Sequence, residues 1–139
     1  MVFFKMKVTL DTESIKTINL FQNLTGSHVL DFMSEDGELY FVVSKGEYGL
    51  VVGKNGSKIK NAERVFKKPI MIFENAPDME SFVRNIIPEA QDINITGKEI
   101  SVRVKPSDRP KVIGKGGKKI KIINHFLKRL YDVESLKVK

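Results

Sequence analysis

The sequence predicts an α+β protein made of two similar small units. Three observations predict it. The stretch Val51-Val52-Gly53-Lys54-Asn55-Gly56-Ser57-Lys58-Ile59 recurs 61 positions later as Val112-Ile113-Gly114-Lys115-Gly116-Gly117-Lys118-Lys119-Ile120. Around each copy the same order of segments can be read: helix, strand, strand, short helix, Gly-x-x-Gly turn, helix, strand. The strands come in runs and do not alternate strictly with helices, which argues for α+β over a parallel βαβ sheet. The predicted units are residues 1–75 and 76–139.

Residues 2–10 alternate loosely, with Phe4, Met6, Val8 and Leu10 on one face, and predict a strand. Asp11 or Thr12 then offers a helix N-cap, with Glu13 in the first turn where the dipole favours a carboxylate. Ile15, Ile18, Phe21 and Leu24 form a helical stripe, and Gly26 stands where that helix should stop. His28 to Met33 reads as a strand, Ser34-Glu35-Asp36-Gly37 as a turn and Leu39 to Val43 as the returning strand; Asp36-Gly37 is a good hairpin signal. Gly46 to Val52 is a short helical piece entering the first glycine turn. Ser57 to Lys67 is the helix leaving it, with Ile59, Ala62 and Phe66 facing inward, and Lys67-Lys68-Pro69 breaks it. Ile70 to Phe73 is a strand, and Asn75-Ala76-Pro77 reads as a linker.

The second unit restarts at Asp78, an N-cap. Met79, Phe82, Val83, Ile86 and Ile87 have the spacing of a helix with one buried face, and Pro88 ends it. Gln91 to Ile95 is a strand, Thr96-Gly97-Lys98 a turn, and Glu99 to Lys105 a strand in which Ile100, Val102 and Val104 alternate. Pro106 to Ile113 is a short helix into the second glycine turn. Gly117 to Leu130 is the long helix, with Ile120, Ile123, Leu127 and Leu130 in register, and Val133 to Val138 is the last strand. Phe3, Phe4, Phe21, Phe66, Phe82 and Phe126 are expected in the cores.

The chain of 139 residues is 41% apolar, enough for two small cores, and carries a net charge of +7. A basic balance of this size suggests a polyanionic partner. The charge is uneven: residues 1–74 hold 10 basic and 9 acidic side chains, and residues 75–139 hold 14 and 8. The absence of cysteine excludes disulfides, thiolate metal sites and cysteine nucleophiles. Val2-Phe3-Phe4 is too short for a signal core and no apolar run approaches 18 residues, so a cytoplasmic protein with no membrane partner is expected.

The glycine turns carry the chemistry. Their two glycines allow backbone angles that other residues avoid. A turn of this kind at a helix N-terminus points N–H groups outward, where they can meet phosphate, and the lysines add positive charge at the same place. With Ile/Val-Ile/Val before each turn and Ile three residues after it, both stretches closely resemble the KH family of RNA-binding domains. A helix and strand ahead of that core, and a last strand after it, resemble the type II arrangement: a three-stranded sheet packed against helices with a Gly-x-x-Gly loop. Two such units in tandem at this length resemble the archaeal NusA-like transcription termination proteins. The resemblance covers about residues 11–139.

The resemblance implies single-stranded RNA as partner, with the loop clamping the backbone of about four nucleotides. It implies that Gly53, Gly56, Gly114 and Gly117 allow close approach of that backbone, that Lys54 and Lys115 meet phosphate, that Asn55 donates to a phosphate oxygen and that Gly116 adds only backbone. Lys58 and Lys60, with Lys118, Lys119 and Lys121, would continue the charge along the following helix. Val52 and Ile113, with Leu50 and Val112, would floor a groove for unpaired bases. Ile70, Met71 and Ile72 would form its sheet side in the first unit, the strand's backbone reading base edges. The second site reads as the stronger, since residues 98–129 hold 11 basic side chains against Glu99 and Asp108. The expected function is regulation of transcription termination or elongation on nascent RNA, by a monomer; a KH adaptor in ribosomal RNA processing or RNA decay is the alternative. At this length the chain has no room for the polymerase-contacting amino-terminal domain or the OB-type domain of the bacterial pattern. RNA polymerase is therefore a partner implied by the family and not by these residues.

Other classes fit less well. Neither turn has the Gly-Lys-Ser/Thr tail of a Walker A loop, and no Rossmann fingerprint is present. No His, Asp and Glu cluster suggests metal or acid–base work, and His28 and His125 have no partner at metal spacing. No enzyme activity, cofactor or metal is expected. No helix combines a broad basic face with exposed aromatics, as a membrane-surface helix would.

Overall fold

The computed structural model describes residues 11–139, so the strand predicted over 2–10, with Phe3 and Phe4, lies outside the described residues. The chain divides into two compact units between Pro77 and Asp78; the sequence placed that division between Asn75 and Ala76. Each unit is α+β, with one three-stranded sheet.

In the first unit, helix α1 (Thr12–Thr25) starts where Asp11 accepts a hydrogen bond from the Ser14 N–H at 2.8 Å. It stops at Gly26, whose left-handed backbone (φ 77°) turns its N–H onto the Gln22 carbonyl. Strands β1 (Val29–Glu35) and β2 (Glu38–Val43) are joined by Asp36 and Gly37, both at positive φ. That pair of conformations matches the twist of the flanking strands. Helix α2 (Tyr48–Val52), a 3-10 turn (Lys54–Gly56) and helix α3 (Ser57–Phe66) carry the chain back, so that strand β3 (Ile70–Glu74) lies parallel to β2, with Leu39 opposite Ile70. The sheet order is β1-β2-β3.

The core of this unit is aromatic: Phe21 stacks on Phe41 with ring centroids 3.9 Å apart, and Phe32 tilts against Phe41 at 4.9 Å. Ala62 is buried while Ile59 and Phe66 pack at the margin. The α1 stripe differs from the prediction at its start, where Ile15 is 47% exposed. Leu24 packs against the core as expected, and Thr25 beside it is buried as well. Thr25 can be buried because its hydroxyl donates to the Phe21 carbonyl at 2.9 Å, which leaves no unmet polar group.

The second unit repeats this plan. Helix α4 (Met79–Ile86) is capped by Asp78, which accepts from the Ser81 N–H at 3.0 Å. Strands β4 (Asp92–Thr96) and β5 (Glu99–Arg103) form a hairpin with Gly97 at φ 60°. Helix α5 (Arg109–Ile113), a 3-10 turn (Lys115–Gly117) and helix α6 (Lys118–Tyr131) lead to strand β6 (Ser135–Val138), parallel to β5 with Ile100 opposite Leu136. Phe82, Val83, Ile86 and Ile87 are buried as their spacing requires.

On α6 the buried residues are Ile122, Ile123, Phe126 and Leu127. The predicted stripe contained Ile123 and Leu127 but also Ile120 and Leu130, which are only partly buried. A flat sheet takes a broad i, i+1, i+4, i+5 face of a helix, wider than the single row that a period-based reading selects.

Candidate nucleic-acid interface

The two glycine turns share one backbone conformation. Gly53 sits at φ 76°, ψ 175°, Asn55 at 57°, 28° and Gly56 at 73°, 17°. Gly114, Gly116 and Gly117 sit at 81°, 167°, at 63°, 21° and at 77°, 14°. The closing bonds match too: Gly56 N–H to the Gly53 carbonyl and Gly117 N–H to the Gly114 carbonyl, both 3.1 Å. Lys54 and Asn55, like Lys115 and Gly116, donate no backbone hydrogen bond among the described residues. Each turn therefore presents two outward N–H donors with a lysine.

The first and second glycines of each turn are needed for different reasons. A Cβ on Gly53 would meet Lys58 Cγ at 2.8 Å, and one on Gly114 would meet the Lys119 backbone nitrogen at 2.7 Å. Gly53 and Gly114 are thus required by the chain's own following helix. Gly56 and Gly117 have nothing closer than 3.6 Å and 3.9 Å, and Gly116 faces open space. The outward surface of the turn is formed by its last three residues. Asn is among the few residues that accept the left-handed region, which is how Asn55 and Gly116 can hold equivalent positions.

Lys54, Asn55 and Lys115 are exposed, as are Lys60 and Lys121; Lys118 and Lys119 are partly buried. Lys58 points elsewhere. Its ammonium donates to the Thr25 carbonyl at 3.3 Å, at the C-terminal end of α1, where helix carbonyls favour a cation. In the second unit the positive cluster is partly offset by Glu89. Its Oε2 lies 3.2 Å from Lys111 Nζ, and the carboxylate is largely buried. Burial pushes the Glu89 carboxyl pKa up. Hydrogen bonds from its own backbone and from Lys111, with the charges of Lys119 and Lys111, outweigh that and hold it below the ordinary value.

Beside the second turn lies an open groove of about 550 Å³ lined by Ile113, Ile120, Asn124, Leu136 and Val138, with Lys128 and Lys137 among its lining residues. Ile113 is where the sequence placed it. Val112 is fully buried in the core and does not line the groove. In the first unit Val52 is partly buried, Val51 is core and Leu50 is 43% exposed. Ile70 is buried and Ile72 packs against the same core, whereas Met71 alternates to the opposite face and is exposed, so the three do not share one side.

Two residues that the sequence reading did not single out close the sheet edge. Asn124 Oδ1 accepts from the Leu136 N–H at 2.7 Å, and its Nδ2 donates to the carbonyls of Leu136 (3.2 Å) and Ile120 (3.0 Å). At the matching position of the first unit, Glu63 Oε2 accepts from the Ile70 N–H at 2.9 Å. The 61-residue repeat pairs Glu63 with Asn124, and that offset was the one available signal.

Among the described residues no group of His, Asp and Glu could hold a metal ion, and no helix is long and apolar enough to cross a membrane. The site's tools are backbone donors, ammonium groups and an apolar groove.

No family model matches the chain. It is 37% identical to a protein of Methanococcus vannielii named "Probable transcription termination protein NusA", over 96% of this chain and 80% of that protein. Proteins of the same name from Methanocaldococcus jannaschii and Thermoplasma acidophilum are 33% and 30% identical, over 95% and 96% of this chain and 75% and 96% of theirs. The crystal structure of APE1850 matches with a TM-score of 0.76 at 27% identity, over 94% of this chain and all of that one. Coverage of nearly all of this chain and identities of 30% to 37% point one way: the chain belongs to the family of archaeal proteins named transcription termination protein NusA.

Proposed function

We propose that this protein binds single-stranded RNA through both glycine turns and acts in transcription termination, each unit being a type II KH domain. The observation that carries the reading is the second unit's groove. Ile113 and Ile120 flank the Gly114–Gly117 turn in sequence and also line the groove, with Leu136 and Val138 across it. Outward N–H groups and Lys115 supply contacts to phosphate, and the apolar floor supplies a surface for unpaired bases. The identical turn conformation in the first unit supports a second contact of the same kind. The names of the relatives support the termination role, and nascent transcript is the single-stranded RNA present during termination.

The test is binding of labelled single-stranded RNA against matched duplex and single-stranded DNA. It is run with the intact protein and with two variants, Lys54→Asp with Asn55→Asp and Lys115→Asp with Gly116→Asp. Single-stranded RNA is expected to bind best, and each folded variant to bind it more weakly. Equal binding of duplex, or no loss in either variant, overturns the reading.

A further inference from the structure

Resting on that reading, we infer that the helix residue at the shared position, Glu63 in the first unit and Asn124 in the second, decides which base is selected at each sheet edge, with the first unit preferring guanine.

In a parallel pair, alternate residues of a strand turn both backbone groups to the same side. The Pro69 carbonyl accepts from the Leu39 N–H at 3.0 Å, so Ile70 one residue on turns its N–H and carbonyl away from β2, toward an edge that is open among the described residues. Leu136, opposite Ile100 as Ile70 is opposite Leu39, faces away from β5 in the same way, toward an edge that is open among the described residues. An edge residue of this kind offers one donor and one acceptor to a base.

The two units treat that offer differently. The Asn124 amide has both a donor and an acceptor, and it takes up both groups of Leu136. Its remaining N–H is held by the Ile120 carbonyl. The second groove is left with no free donor at this point and reads apolar shape there. A carboxylate has only acceptors. Glu63 can take the Ile70 N–H, but it cannot donate to the Ile70 carbonyl. Neither that carbonyl nor Glu63 Oε1 has a hydrogen-bond partner among the described residues. The first unit therefore presents two neighbouring acceptors and no donor. Guanine, through N1–H and its 2-amino group, offers two neighbouring donors. Adenine and cytosine each set a ring acceptor beside their amino group, and uracil has a single donor between two carbonyls.

The experiment uses the full chain carrying Lys115→Asp with Gly116→Asp, so that the first unit dominates binding. The probes are short uridine-rich RNA strands with one central guanosine, inosine, adenosine or uridine. Inosine keeps N1–H and lacks the 2-amino group. Guanosine is expected to bind at least about tenfold more tightly than inosine, the lower end of the worth of one hydrogen bond to a charged acceptor. Glu63→Gln supplies the missing donor, closes the Ile70 carbonyl as Asn124 closes Leu136, and should bring the guanosine-to-inosine ratio close to one. Asn124→Asp, in the chain carrying Lys54→Asp with Asn55→Asp, should create a guanosine preference in the second unit. Thermal unfolding of each variant verifies that it is folded. Strands that bind without distinguishing guanosine from inosine, or a preference that survives Glu63→Gln, overturn this inference and leave RNA binding intact. Failure of every strand to bind overturns the RNA-binding reading itself.

Discussion

Asn124 holds Leu136 by both of its backbone groups, taking the N–H at 2.7 Å and giving to the carbonyl at 3.2 Å. Leu136 is 2% exposed, so water cannot easily replace either bond. Helix α6 and the edge strand β6 are thereby joined by a side chain that acts as an extra strand would. Glu63 makes half of the same connection to Ile70.

Replacing Asn124 with alanine should strand the Leu136 N–H and cost about 1–3 kcal/mol. Asn124→Asp keeps the acceptor and should cost less. Urea unfolding of the three proteins measures the order, with the intact protein most stable and the alanine variant least.

Gly114→Ala should be far more damaging than Gly116→Asn. The Gly114 conformation is one that essentially glycine alone adopts, worth on the order of 1–3 kcal/mol in strain, and the added methyl would meet the Lys119 nitrogen at 2.7 Å. Gly116 faces open space at φ 63°, where asparagine already stands in the first copy as Asn55. Gly116→Asn should change stability by no more than about 0.5 kcal/mol. Thermal melts of the two variants distinguish them.

Glu89 should make the second unit acid-sensitive. Its carboxyl is held below the ordinary value of 4.5, so the unfolded chain takes up a proton at higher pH than the folded one does. Its stabilisation is complete above about pH 4.5 and is lost as the pH falls through the folded value. Denaturant midpoints at pH 7, 4.5 and 3 should fall less steeply in Glu89→Gln than in the intact protein.

On the proposed function, two RNA contacts on one chain should act together. A strand long enough to reach both turns is expected to bind about 10²-fold more tightly than one that reaches a single turn. Each phosphate contact on a single strand contributes about 0.7 to the slope of log affinity against log salt, so Lys54→Ala and Lys115→Ala should each lower that slope by about this amount. Titrations at several salt concentrations read both quantities. Equal affinity for the two strand lengths would contradict joint binding.

Much of this was legible in the sequence because it depends on neighbours along the chain. Asp11 and Asp78 cap helices, Gly26 ends one and Asp36-Gly37 closes a hairpin through backbone sterics and bonds that span a few residues. The repeat predicted one turn conformation twice, and Gly53, Asn55 and Gly56 agree with Gly114, Gly116 and Gly117 to about 8° or better in φ and ψ.

What the tertiary structure decided are relationships between residues far apart in the chain. Lys58 reads in sequence as another cation beside a turn, but its ammonium lies on Thr25, 33 residues away. Gly53 reads in sequence as a residue of the turn alone, and packing adds a second need for it, since a Cβ there would meet Lys58. Val112 and Ile113 are equally apolar, and packing alone sends one to the core and the other to the groove. Glu63 and Asn124 are ordinary polar helix residues until β3 and β6 bring Ile70 and Leu136 beside them. Local sterics act on a residue wherever the chain goes, so the sequence by itself determined the elements, their caps and the doubled turn. A hydrogen bond between distant residues exists only once packing sets the distance, so the occupants of each sheet edge were decided by the folded structure.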